Sequence, residues 1–282
     1  MPGAEIDWVV EEAFTAVPAM HPAVRRVIPV AVRRWRGALW NPAVWAEIAA
    51  FRRSVRREHY DMVIDAQSLL KSALVSALAA GPVHGLDPAS AREPLAALFY
   101  DVTHPVPKGL HAVERNRRLT ADSLGYELPV PVEYGLRPKK ASTPAGKETF
   151  AVFLSMTSRA DKLWPESQWI ELGRALGTHV VLPWGTDEEH LRAQRIAAGI
   201  GQASVPKRMA LEVLGELLVG AKLVVGVDTG LTHLAAAFGT RTIGIYCDSD
   251  PALTGIFGAQ AGLNVGAAGR PPSVAAVMKE IA

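Results

Sequence analysis

Cysteine is nearly absent. Cys247 is the one thiol in 282 residues, which excludes a disulfide framework and a cysteine-based zinc site. A chain without disulfides fits a reducing cytoplasm. No apolar run of about 18 residues occurs, so no segment is suited to span a membrane. The first residues, Met1-Pro2-Gly3-Ala4-Glu5, lack the basic and apolar regions of a secretory signal. There is no Gly-x-x-x-x-Gly-Lys-Ser/Thr, and no Gly-x-Gly-x-x-Gly follows a strand. A P-loop ATPase and a dinucleotide-dependent dehydrogenase are therefore disfavoured. Disorder is excluded by a composition that is 49% hydrophobic and 21% charged.

Lysine is missing from the most basic stretch. Residues 21–60 hold nine Arg against Glu47 and Glu58, in a chain whose net charge is only +2. Such a stretch points to an anionic partner, and Arg's planar fork suits carboxylate and phosphate. Arg52, Arg53, Arg56 and Arg57 read as a solvated helix face. Arg33, Arg34 and Arg36 surround Trp35 after the segment Val27-Ile28-Pro29-Val30, and read as functional residues on a loop or short exposed helix.

The length suits about two domains. Short apolar runs alternate with amphipathic stretches, a βα pattern that implies parallel sheets covered by helices. In the first half, Ile6–Val10, Met62–Asp65 and Val83–Gly85 read as strands. Helices are expected at 41–57, 68–79, 92–99 and 111–124. Asn41 is the expected cap of the first, with Pro42 in its first turn, and Gly125 ends the last. Residues 129–149 are rich in Pro and Lys and read as a connection between domains. The boundaries expected are 1–137 for the N-terminal domain, 138–148 for the linker and 149–282 for the C-terminal domain. Strands then recur at Phe150–Leu154, Val180–Leu182, Leu223–Val227 and Thr242–Tyr246, with helices near 166–176, 187–199, 211–220, 229–238 and 273–281. Two doubly wound domains imply a cleft, with ligand at the carboxyl ends of the strands.

Three strand ends carry polar residues. Val227-Asp228-Thr229-Gly230-Leu231-Thr232-His233 is a strand, a small turn and a helix start, whose unpaired amides and dipole make a phosphate seat. A simple helix cap is the alternative. Ser155 to Lys162 place hydroxyls and a cation after the first strand of this half, for a second phosphate face or an ordinary polar loop. Pro183-Trp184-Gly185-Thr186-Asp187-Glu188-Glu189 offer a carboxylate for ribose hydroxyls, or acid complementing a helix N-terminus. Together they suggest a nucleotide site.

These residues resemble a known family. Asp7-Trp8-Val9-Val10-Glu11-Glu12, Arg33-Arg34-Trp35-Arg36, Asp65-Ala66-Gln67-Ser68, Ala91-Arg92-Glu93-Pro94-Leu95, His111-Ala112-Val113-Glu114-Arg115, Lys162-Leu163-Trp164-Pro165, Leu182-Pro183-Trp184-Gly185 and Asp228 to His233 are similar to segments of the lipopolysaccharide heptosyltransferases of glycosyltransferase family 9. Arg33-Arg34-Trp35-Arg36 is closest to the heptosyltransferase I branch. The resemblance covers essentially the whole chain. It implies a GT-B fold: two Rossmann-like doubly wound domains facing a cleft. It also implies inverting transfer of heptose from ADP-L-glycero-D-manno-heptose to the Kdo sugar of Kdo2-lipid A, without metal or cofactor.

The resemblance assigns residues as well. Asp228 would contact the heptose; Thr229, Gly230 and Leu231 would hold the pyrophosphate. Thr157, Ser158 and Lys162 would stabilise the leaving ADP. Glu189, beside Gly185, would take the ribose, and Met209 would lie against adenine. His233 would pack or contact the donor directly. Arg33, Arg34, Arg36 and Arg92 would receive the acceptor's carboxylates and phosphates. The implied setting is a monomer at the inner face of the inner membrane, with no nucleic-acid partner.

Departures accompany the matches. The family opens with a strand, a Gly-Asp loop and a helix, and that Asp is its presumed general base. No residue here takes that position, so the first strand, loop and helix are expected to be missing and Met1 to be an internal codon read as the initiator. Little transfer is then expected from the chain as it stands. Neither Asp7 nor Asp65 takes over the role. Gly37 replaces a cation after Arg36, and Tyr246-Cys247-Asp248-Ser249-Asp250-Pro251 replaces a Tyr-Gly-Pro-Thr-Asp-Pro type segment. A degenerate ADP-sugar-binding paralogue and a heptosyltransferase II-like enzyme are the competing readings.

Overall fold

The computed structural model describes residues 3–137 and 149–282. The chain forms two compact units: Met1–Ala19 with Ala23–Val130, and Met20–Pro22 with Pro131–Ala282. Residues 131–137, expected with the N-terminal half, belong to the second unit. Their backbone is tied there by Arg137 N–H donating to the Met20 carbonyl at 2.9 Å, and Tyr134 hydroxyl donates to the Phe257 carbonyl at 2.6 Å. The linker expected at 138–148 lies outside the described residues.

The first unit runs β1 (Ile6–Glu11), α1 (Ala16–Ala19), β2 (Val24–Val30), α2 (Val32–Arg36), α3 (Pro42–Val55), β3 (Val63–Ile64), α4 (Leu70–Ser76), β4 (Val83–Leu86), β5 (Val102–His104) and α5 (Ala112–Leu124). Its strands are parallel but form two sheets, β1-β2 and β3-β4-β5. β2 was not expected, because Pro29 interrupts its apolar run. Pro lacks a ladder donor, yet it is tolerated on a strand with one open edge, and Pro29 sits opposite Val10 there. The Asn41 side chain caps α3 by accepting from Ala43 N–H at 2.9 Å, and Gly125 ends α5 in the left-handed conformation at φ 68°. The stretch at 94–99 is a 3₁₀ turn, not an α-helix. Asp65 is buried and structural. Its carboxylate accepts from Gln67 and Ser68 N–H, the Ser72 hydroxyl and the Tyr100 hydroxyl.

The second unit is one six-stranded parallel sheet: β6 (Phe150–Leu154), β7 (His179–Val181), β8 (Ala203–Ser204), β9 (Leu223–Val227), β10 (Thr242–Tyr246) and β11 (Gly262–Gly266), in the spatial order β11-β10-β9-β6-β7-β8. Between them run α6 (Glu166–Leu176), α7 (Asp187–Ile200), α8 (Leu211–Gly220), α9 (Gly230–Ala237) and α10 (Pro251–Thr254), and α11 (Val274–Ile281) follows. β6, β9 and β10 are buried along their whole length, as continuous apolar runs in a helix-covered sheet should be. Trp164, Trp169, Phe153 and Leu172 pack at the centre, each worth about 1.5–3 kcal/mol of burial.

Candidate active site

In the second unit the strand order reverses between β6 and β9. The chain steps outward through β7 and β8, then returns to β9 and continues through β10 on the other side. The loops after β6 and β9 therefore meet at a topological switch point, where α/β sheets place ligands.

The β6 loop is anchored at its far end by Trp164, fully buried, whose indole N–H donates to the Pro272 carbonyl at 2.9 Å. Arg159 braces the middle, donating to Asp161 at 3.0 Å and to Asp248 at 2.9 Å. A short turn, Ala160–Lys162, then presents Lys162. Across the gap, Thr232 fixes the start of α9: its buried hydroxyl donates to the Val227 carbonyl at 2.7 Å. Gly226 makes that close approach possible, since a Cβ there would stand 2.1 Å from Thr232 Oγ1.

Asp228 is the centre. Its Oδ2 accepts from Lys162 Nζ and from the Ser249 hydroxyl, each at 2.6 Å, and its Oδ1 lies 3.4 Å from His233 Nε2. Its carbonyl accepts from Thr157 Oγ1 at 3.4 Å. Burial pushes the Asp228 carboxyl up, but His233, Lys162 and Ser249 outweigh it and hold the group well below the usual carboxylate range. Asp228 is thus a fixed anion, 9% exposed, that aims a lysine.

The start of α9, expected from the sequence to seat a phosphate, lies beside it. Thr229 is the N-cap residue of α9, and its side chain makes no capping bond. Its carbonyl accepts from Thr232 and His233 N–H, which leaves the Gly230 and Leu231 amides without an intrahelical partner. Gly230 is exposed, and a Cβ there would meet no atom within 4 Å. Nothing in the chain's own packing calls for glycine at that position.

The third strand end resolves as a capping box. Thr186 accepts from Glu189 N–H, while Glu189 Oε2 accepts from Gly185 N–H at 2.7 Å and Thr186 N–H at 3.2 Å. The sequence left ribose contact and helix capping open for Glu189; one of its oxygens caps. Trp184 stacks on His190 with ring centroids 4.2 Å apart, and Met209 is half-buried just before α8. Ser158 is exposed and Leu231 half-buried.

Of the expected donor residues, the structure joins Thr157, Lys162, Asp228 and His233 in one hydrogen-bonded group, and Gly185 with Glu189 in another. Ser249 and Arg159 were missed. The available signal was position: Ser249 follows β10, the strand beside β9, and Asp248 ties it to Arg159.

In the first unit, Arg33, Arg34 and Arg36 lie on or at the end of α2, and all are exposed, as is Arg92. Arg34 is not the open cation the sequence suggested. It bridges Glu12 at 3.1 Å and Glu47 at 2.8 Å, and Trp35 Nε1 donates to the same Glu47 at 2.8 Å. These groups line a cavity of about 300 Å³ with Pro29, Val30 and Phe51. Arg25 and Arg26 are likewise countered, by Asp7, so the basic stretch offers less open charge than its count implies. Arg33 lies 5.9 Å over the Phe14 ring. Among the described residues, no three His, Cys, Asp or Glu side chains gather as a metal site.

Residues 48–280 match the model of glycosyltransferase family 9 (heptosyltransferase). The chain is 48% identical over 264 residues to lipopolysaccharide heptosyltransferase 1 of Escherichia coli (strain K12), covering 92% of this chain and 83% of that protein. It is similar in structure to E. coli heptosyltransferase WaaC with ADP-2-deoxy-2-fluoro heptose, at TM-score 0.88 and 43% identity, over 100% of this chain and 90% of that one. E. coli ADP-heptose lps heptosyltransferase II shares the fold at TM-score 0.73 and 20% identity, over 100% of this chain and 89% of that one. The α/β architecture is that of GT-B heptosyltransferases.

Proposed function

The chain belongs to glycosyltransferase family 9, the heptosyltransferases, and from that premise we propose that it transfers L-glycero-D-manno-heptose from ADP-heptose to the Kdo sugar of the lipopolysaccharide inner core. The observation that carries this reading is the Asp228–Lys162 pair, 2.6 Å apart, beside the unpaired amides of α9. A diphosphate seated on the Gly230 and Leu231 amides meets partial positive charge. Lys162, held by Asp228, supplies the full charge next to it.

As the bond from the anomeric carbon to the diphosphate oxygen breaks, negative charge gathers on the leaving ADP. Donors already aimed at that oxygen stabilise this change without reorganising. The acceptor oxygen attacks from the opposite face, which inverts the centre, and its proton is released to solvent water. Asp228 is a poor base, because a carboxyl held well below its usual range keeps little affinity for a proton. We assign it to the heptose hydroxyls and to Lys162. Thr157, Ser158 and Thr229 complete the phosphate contacts; Glu189 offers its second oxygen to the ribose, and Met209 lies against the base.

The second unit is assigned the donor and the first the acceptor. Arg33, Arg36 and Arg92 are the open cations for Kdo2-lipid A carboxylates and phosphates, with Arg34 joining only if Glu12 and Glu47 release it. The acceptor is a lipid, which places the working protein, as a monomer, at the inner face of the inner membrane. No helix among the described residues is long and apolar enough to cross one.

The test is mass spectrometry of Kdo2-lipid A incubated with the protein and ADP-heptose. A product heavier by one heptose, with release of ADP, supports transfer. Calorimetric binding of ADP-heptose with no product points to a binding-only paralogue.

A further inference from the structure

The outer face of α3 carries a surface that the proposed chemistry leaves unused. The helical period places Val44, Phe51 and Val55 on one side, all buried. The exposed residues of α3 include Trp45 near its start and Arg52 and Arg53 near its end, about 10–12 Å further along the axis. Trp45 Nε1 donates to the Leu39 carbonyl at 2.8 Å and so fixes the turn between α2 and α3 beside it. On that turn Trp40 is 82% exposed and Leu39 46%, next to Trp45 at 57%. Single exposed apolar residues need no explanation, but three adjoining ones, two of them Trp, do.

Charge is arranged to match. Arg25, Arg26 and Arg34 have carboxylate partners. Arg52 and Arg53 have no ion pair among the described residues, so their charge faces outward from the same helix. The result is an aromatic tip with a cationic flank.

We propose that this face docks on an anionic lipid bilayer, with Trp40, Trp45 and Leu39 at the headgroup–acyl boundary and Arg52 and Arg53 on lipid phosphates. Trp's amphipathic ring favours that boundary, and Arg's fork pairs phosphate oxygens. Three apolar side chains are a small centre for a protein interface, which covers about 800 Å² per partner. Insertion into a bilayer surface needs no matching partner surface. Docking here deepens the reading of a lipid-linked acceptor and rests on it for its purpose.

The test is flotation of the full chain with phosphatidylcholine vesicles and with vesicles containing phosphatidylglycerol. Binding to the anionic vesicles alone, weakening with salt, is expected. Trp40→Ala should lower partition by about tenfold or more. The double variant Arg52→Glu, Arg53→Glu should lower it by about 25-fold or more, since each cation near an anionic surface is worth about fivefold. ADP titrations and melting curves on each variant check that it is folded. The proposal is overturned if the chain ignores anionic vesicles, binds both kinds equally, or if both variants float like the parent. The last result would also follow from a protein partner using this face. Vesicle binding without ADP binding keeps the docking and sinks the nucleotide reading; ADP binding without vesicle binding does the reverse.

Discussion

Lys162 Nζ donates to Asp228 Oδ2 at 2.6 Å, across the point where the sheet of the second unit reverses direction. The two residues are 66 positions apart in sequence, and adjacent strands bring them together. Lys162→Met would leave a mostly buried carboxylate with Ser249 and His233 only. It should lower stability by on the order of 1–3 kcal/mol, and transfer by about a hundredfold or more. Urea unfolding and turnover measured on the same variant check both.

Gly230→Ala separates fold from ligand. A Cβ there meets no atom within 4 Å, so unfolding should be unchanged or slightly harder. In the proposed donor pose the same methyl stands where the diphosphate approaches the amides, so ADP affinity should fall by about tenfold or more. Equal affinity in the two proteins would place the phosphates elsewhere.

The Asp228 carboxyl gives the fold a definite acid sensitivity. Its pKa is lowered from an ordinary value of 3.8. Such a group stabilises the fold fully above its unfolded pKa, and that contribution is lost as pH falls through the folded value. The wild type should therefore lose melting temperature below about pH 4 more steeply than Asp228→Asn, which has nothing to protonate there. Parallel curves for the two proteins would show that the carboxyl is not held as the geometry requires.

Ser249 shares Asp228 Oδ2 with Lys162, and in the proposed function it acts on the donor only through that carboxylate. Ser249→Ala should reduce kcat more than it changes KM for ADP-heptose, by about fivefold to thirtyfold, the worth of a hydrogen bond to a charged group. Ser249→Thr keeps the hydroxyl and should recover most of the loss. Failure of Thr to recover it would reduce Ser249 to a packing role.

Local chemistry made much of this legible beforehand. Asn41-Pro42 announced α3, Gly125 closed α5, and the continuous apolar runs at 150–154, 223–227 and 242–246 announced buried parallel strands. The polar turns after 150–154, 180–182 and 223–227 pointed to the residues from which the candidate site is built. What stayed hidden depends on partners distant in sequence. Pro29 masked β2, because only the pairing with β1 shows that its missing donor is tolerated. Arg34 read as an open cation because Glu12 and Glu47, 22 and 13 residues away, reach it only in the fold. Ser249 carried no motif at all; it matters because β10 lies beside β9.

The most direct test is titration of the protein with ADP and, separately, with adenosine. If the amides opening α9 and Lys162 grip the diphosphate, ADP should bind with measurable heat and adenosine at least about a hundredfold more weakly. Equal binding of the two, or no binding of ADP to folded protein, would contradict a phosphate seat at Gly230.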